Sequence, residues 1–81
     1  MQKVRDARGW VITTLPEGYN NTKLLSQGEK VYKKGRNYIT PDQTSHIGGV
    51  WKMFDDVKNL NKTSKEARVG TYDANLIKIG D

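Results

Sequence analysis

The sequence predicts an α+β, mainly β protein: a small, twisted antiparallel sheet of about five strands with at most one short helix. Three observations carry that expectation. β-branched and aromatic residues gather in short runs, turn formers separate the runs, and no stretch sustains a helical repeat of apolar positions.

The elements follow in order. Met1–Gly9 is polar and basic and reads as a linker end. Trp10–Leu15 is an apolar, β-branched run stopped by Pro16, hence a strand or an extended arm. Pro16–Asn21 is dense in turn formers, and Thr22–Gln27 has room for one helical turn. Lys30–Lys33 and Tyr38–Thr40 flank Lys34-Gly35-Arg36-Asn37, the pattern of a hairpin. Pro41-Asp42 closes the second strand. Gly48-Gly49 precedes a third, Val50–Phe54, in which Val50, Lys52 and Phe54 face one way and Trp51 and Met53 the other. Asp55–Glu66 holds the spaced apolar pair Val57 and Leu60 and reads as a short helical turn or an exposed loop. Ala67–Tyr72 is a fourth strand, Asp73-Ala74-Asn75 a turn, and Leu76–Ile79 a fifth strand.

At 81 residues the chain has room for one small domain, 1–81, with 1–9 as its linker end. A core of this size is marginal. Without cysteine, neither a disulfide nor a thiolate metal site can staple it. No apolar run approaches the length of a membrane span, so no membrane partner is expected for this stretch. No apolar leader follows Met1, so any export signal is expected outside the stretch. Lysine and arginine number 14 against 9 acidic residues, a formal charge of +5. That excess favours a polyanion such as nucleic acid, with an anionic membrane surface as the competing polyanion and a merely solvated basic surface as the alternative.

His46 is the one histidine. Its ordinary pKa lies near neutrality, so it can take and return a proton at physiological pH. Cleavage of RNA by its own 2′-hydroxyl needs a base on that hydroxyl, an acid on the 5′-oxygen and cations around the phosphorus. His46 falls between two predicted strands, just before Gly48-Gly49, where backbone can approach a substrate closely. Asp42, four residues earlier, is a carboxylate to orient the imidazole or act as base; behind Pro41 it is equally an ordinary turn residue. Lys52 and Arg68, on neighbouring predicted strands, supply cations for a phosphate, although strand cations on a solvated face are common. Thr71 and Tyr72 offer hydrogen bonds or a stacking ring, and Trp51 a second ring; all three are also good strand formers. Lys30, Lys33, Lys34 and Arg36 bracket the first hairpin with Tyr32 and Tyr38 interleaved, a pattern that grips RNA backbone and bases and also one that keeps sheet edges apart. With one histidine and no cysteine, a metal site would rest on carboxylates such as Asp42, Asp55 and Asp56, so neither metal nor other cofactor is expected.

The run Tyr38-Ile39-Thr40-Pro41-Asp42-Gln43-Thr44-Ser45-His46-Ile47-Gly48-Gly49-Val50-Trp51-Lys52, with Arg68-Val69-Gly70-Thr71-Tyr72-Asp73, Leu76 and Ile79-Gly80-Asp81, resembles the signature of a predicted RNase family of bacterial polymorphic toxins. Asp42, His46 and Arg68-Val69-Gly70-Thr71 match its pattern, whereas Thr40 stands where the family prefers Asp or Ser. The order of a basic strand, Asp, His, Gly, an aromatic strand and a closing turn is also similar to the ribosome-cleaving RNase colicins. Their glutamate after the histidine has no counterpart here, since Val50 occupies that spacing.

The resemblance implies an endoribonuclease at the C-terminal tip of a contact-dependent growth inhibition type toxin. Its catalytic residues would be His46, Asp42, Lys52, Arg68 and Thr71, and its RNA contacts Lys30, Lys33, Lys34, Arg36, Tyr38, Trp51 and Tyr72. Such a domain is secreted or cell-surface delivered within a larger effector and acts in the cytoplasm of the target bacterium. It cuts 16S rRNA or tRNA, with the ribosome or a host translation factor as a further partner, and is neutralised by an immunity protein. An acidic face on that protein would suit the basic one here. The alternative is a non-catalytic basic RNA-binding or protein-interaction module, which would tolerate the loss of His46.

Overall fold

The computed structural model describes residues 2–6, 8–42, 50–62 and 67–80. They form a mainly β, antiparallel fold. A six-stranded sheet runs in simple sequence order, from β3 (Asn20–Ser26) through β4 (Glu29–Lys34), β5 (Asn37–Pro41), β6 (Trp51–Phe54) and β7 (Gly70–Tyr72) to β8 (Lys78–Gly80). A separate hairpin pairs β1 (Lys3–Arg5) with β2 (Val11–Thr14).

The expected central strands are present, and the predicted hairpin closes with Lys34 opposite Asn37. Its two-residue loop places Gly35 at φ 59°, a left-handed value that glycine adopts without a Cβ penalty. Two segments differ from expectation. Thr22–Gln27 is not a helical turn: most of it is strand β3, paired with β4. Gln27 and Gly28, both at positive φ, make a two-residue turn of the I′ pattern, whose twist suits a hairpin and stops any helix. Thr22 donates its hydroxyl to the Val31 carbonyl, which further ties β3 to β4. Residues 3–5, within the stretch read as a linker end, form β1 because Val4 has a core to enter; it is fully buried.

The sheet has two different faces, as period-2 alternation requires. On one face Tyr32, Ile39, Trp51 and Met53 join Tyr19 and Val4, and the β1–β2 hairpin adds Ile12. Tyr32 and Trp51 meet edge to face, with ring centroids 5.9 Å apart. On the other face Val31, Phe54 and Leu60 form a smaller cluster with Tyr38 against it. Leu60 follows a 3-10 helix, Val57–Asn59, capped by the Asp56 carboxylate accepting from the Lys58 amide at 2.9 Å. This segment is sewn to the β3–β4 turn. The Ser26 hydroxyl donates to the Leu60 carbonyl, and Gln27 donates two hydrogen bonds to Asn61, one from its backbone amide and one from its side chain. The apolar cover therefore sits over one half of this face and leaves the half around Lys52 to polar side chains.

Candidate active site

The polar half is built from cross-strand neighbours. Thr40 on β5, Lys52 on β6 and Thr71 on β7 stand opposite one another in adjacent ladders, so their side chains share a face. Val31 of the apolar cluster precedes Thr40 in the same row, since Tyr32 pairs with Ile39 one step away. Thr40 and Thr71 are buried, and the Thr40 hydroxyl donates to the Lys30 carbonyl at 3.0 Å. Lys52 is half-buried.

Asp42 and Arg68 complete the group. Asp42, half-buried, follows β5; its amide donates to the Val50 carbonyl at 2.9 Å, and the Val50 amide donates to the Tyr72 carbonyl at 2.9 Å. Arg68, also half-buried, lies two residues before β7, and the Val69 amide donates to the Met53 carbonyl at 2.7 Å. Both side chains act on Lys52. Burial is the main cause that pushes the Lys52 ammonium below its ordinary pKa. Asp42 opposes that, Arg68 adds to it, and Glu29 opposes it.

Glu29 was not singled out in the sequence. It opens β4, directly after Gly28, and is 97% shielded from solvent with an exposure of 3%. A glutamate beside a turn glycine ordinarily faces water. The signal that finds it is its alternation with Val31, which turns it to the face of Thr40 and Lys52.

Of the sequence-derived catalytic set, the structure gathers Asp42, Lys52, Arg68 and Thr71 on this face. His46 lies outside the described residues, as do Gly48 and Gly49; Asp42 and Val50 flank the segment that holds them. The residues expected to contact RNA are divided between the two faces. Lys33 and Tyr38 form a cross-strand pair in the row next to Lys52, with the Lys33 ammonium 5.5 Å from the Tyr38 ring centre. Lys34 turns to the other face, 6.0 Å from the centre of the Tyr19 ring, and alternation puts Lys30 on that side too. Arg36 is exposed at the hairpin tip. Tyr72 packs against the larger apolar cluster, and Trp51 has no exposed surface at all. The Trp51 ring is core and has no face open to a base.

Gly70 explains the spacing of the Arg-x-Gly-Thr element. A Cβ there would lie 2.9 Å from the Gly80 carbonyl oxygen and 2.7 Å from the Lys78 side chain. Glycine thus lets β8 close on β7 behind Thr71. The turn between those strands is held by Asp73, whose carboxylate accepts from the Asn75 and Ile77 amides, both at 2.9 Å.

The arrangement combines half-exposed cations, a half-exposed carboxylate and buried hydroxyls on a rigid sheet. That combination suits an oxyanion such as a phosphodiester, because fixed cations need no reorganisation as charge develops. No solved structure matches the chain. The chain is 46% identical over 57 residues to the 16S rRNA endonuclease CdiA of Enterobacter cloacae subsp. cloacae; the match covers 69% of this chain and 2% of that far longer protein. A family model described as Novel toxin 21 matches residues 11–81. The chain belongs to the Novel toxin 21 family.

Proposed function

We propose that the chain is the nuclease domain of an antibacterial toxin and cleaves RNA of the translation machinery, with 16S rRNA the leading substrate. The observation that carries this reading is the convergence of Asp42, Lys52, Arg68 and Thr71 on one sheet face in a member of a toxin family. The relative's name supplies the substrate, since that protein is called a 16S rRNA endonuclease.

In this reading the 2′-hydroxyl of the RNA attacks the adjacent phosphorus. Its proton passes to a base, the P–O5′ bond breaks, and an acid protonates the leaving 5′-oxygen, which leaves a 2′,3′-cyclic phosphate. Asp42 and His46 share the two proton transfers, while Lys52 and Arg68 hold the non-bridging oxygens. The donor set favours this route over a metal-assisted one, because a single histidine and no cysteine are present in the chain. Delivery to the target cell as the tip of a larger effector, and neutralisation by an immunity protein with an acidic face, complete the proposal.

The test is incubation of the purified domain with bacterial ribosomes and with total RNA in EDTA, followed by mapping of the ends. Discrete 16S rRNA fragments with cyclic phosphate termini are expected. A requirement for magnesium removes the metal-independent mechanism, and intact RNA of every class removes the nuclease reading.

A further inference from the structure

The β1–β2 hairpin contributes Val4 and Ile12 to the larger apolar cluster, but its outer side takes no part in the site around Lys52. That side is basic and aromatic. Residues 1–14 hold Lys3, Arg5 and Arg8 against one acid, Asp6. Lys3 and Arg5 flank the buried Val4 in β1, so alternation turns both away from the core, and both are exposed. Trp10 is 69% exposed, whereas the second tryptophan, Trp51, is fully buried. Lys3, Arg5, Arg8 and Trp10 all precede residues 11–81, the stretch matched by the family model, so membership of the family does not account for them.

A single exposed apolar side chain is ordinarily incidental. This one is held in place by its turn. The Asp6 amide donates to the Trp10 carbonyl and the Gly9 amide to the Asp6 carbonyl, both at 2.9 Å. The Asp6 carboxylate accepts from the amides of Arg8, at 2.9 Å, and Trp10, at 3.1 Å. The Arg5 guanidinium donates to the Gly9 carbonyl at 2.8 Å. Asp6 also pairs with the Arg8 guanidinium at 3.0 Å, yet the Arg8 side chain is 80% exposed and that of Asp6 only 11%. The turn therefore shows solvent the cation and hides the acid. An open ring on a fixed backbone, among exposed cations, suits an unpaired base with its flanking phosphates.

We infer that the Asp6–Trp10 turn is a second RNA contact, in which Trp10 stacks an unpaired base and Lys3, Arg5 and Arg8 meet the neighbouring phosphates. The hairpin covers the sheet face opposite Lys52, so this contact holds RNA away from the point of cleavage. It takes a loop or a strand end and not a paired helix, because only an unstacked base offers its face. The choice of RNA over another polyanion rests on the nuclease reading, whereas the stacking does not depend on cleavage.

The test uses the intact 81-residue chain and a short single-stranded RNA with 2′-O-methyl riboses, which has no free 2′-hydroxyl to attack. Binding quenches tryptophan fluorescence, since Trp10 is the exposed one of the two rings. In Trp10→Phe the quenching disappears while affinity, read from the anisotropy of a labelled strand, stays within about threefold of the parent; Trp10→Ala loses about fivefold or more. Lys3→Gln lowers the salt slope by about 0.7, the value of one single-strand phosphate contact. Unchanged fluorescence of the unsubstituted chain at saturating RNA overturns the proposal and needs no variant to fold. Equal affinity of Trp10→Ala and the parent overturns it too, as does a Trp10 response to vesicles of anionic phospholipid with none to RNA. Quenching by RNA in a domain that cuts no ordinary RNA removes the nuclease reading and keeps the contact. Cleavage without quenching does the reverse.

Discussion

Thr71 stands directly opposite Lys52 across the β6–β7 ladder, buried beside a half-buried ammonium. A buried hydroxyl needs hydrogen-bond partners, so its removal disturbs the polar face around Lys52. Cleavage is therefore expected to follow the hydroxyl and not the methyl group. Thr71→Ser should keep activity within about threefold, while Thr71→Val should lose about tenfold or more. Rates on ribosomes, with thermal melts to show both variants folded, check this. Equal rates for the two variants would remove the hydroxyl from the site.

Lys52→Met is expected to abolish cleavage and raise stability together. Burial holds the Lys52 pKa below 10.5 in the folded state. At neutral pH the residue is charged in both folded and unfolded chains, so the cost of burying the charge is present in full. As pH rises from the lowered folded value toward 10.5, the unfolded chain holds the extra proton and the folded state gains stability. Removing the charge should raise the melting temperature at pH 7, since the unfavourable burial is then gone. The gap between variant and parent should narrow through the alkaline window below 10.5. A lower melting temperature for Lys52→Met at pH 7 contradicts this account.

These residues were legible in the sequence to different degrees, for physical reasons. Central strands such as Trp51–Phe54 bury alternating side chains, so their β-branched and aromatic runs announce them. β3 is an edge strand with exposed Leu24 and Leu25 and an irregular register between Asn21 and Leu25, so no period of two marks it. β1 carries one buried residue, Val4, too little for any pattern. Asp42, Lys52 and Arg68 were found as residue types in a spaced motif. Glu29 was not, because it lies two strands from Lys52 and only the fold puts them on one face. Alternation shows that Trp51 and Lys52 point apart, but only the docked β1–β2 hairpin decides which of those faces is closed.

The division of the basic hairpin between two faces predicts unequal contributions to RNA binding. Lys33 shares the face of Lys52 and has Tyr38 beside it, whereas Lys34 is turned toward Tyr19 on the far side. Lys33→Ala should weaken binding to a non-cleaved RNA and lower the salt slope by about one, as expected for one lost phosphate contact. Lys34→Ala should leave both nearly unchanged. Fluorescence anisotropy across a salt series measures the two slopes, and a larger effect from Lys34→Ala would place the RNA on the opposite face.

Gly70→Ala tests whether the close approach of β8 supports the site. The added methyl would meet the Gly80 carbonyl oxygen at 2.9 Å, and backbone cannot swing aside as the Lys78 side chain can. β8 must move away from β7, where Thr71 pairs with Gly80. Overpacking of this kind costs about 1–3 kcal/mol, so the melting temperature should fall by several degrees. Because Thr71 neighbours both Gly70 and Lys52, cleavage should drop by more than the loss of folded protein accounts for. Hydrogen exchange locates the damage. Amides of β7 and β8 should lose protection while those of β4 and β5, on the far side of β6, keep theirs. Uniform loss of protection across the sheet would mean that Gly70 supports the whole fold and not the site edge alone.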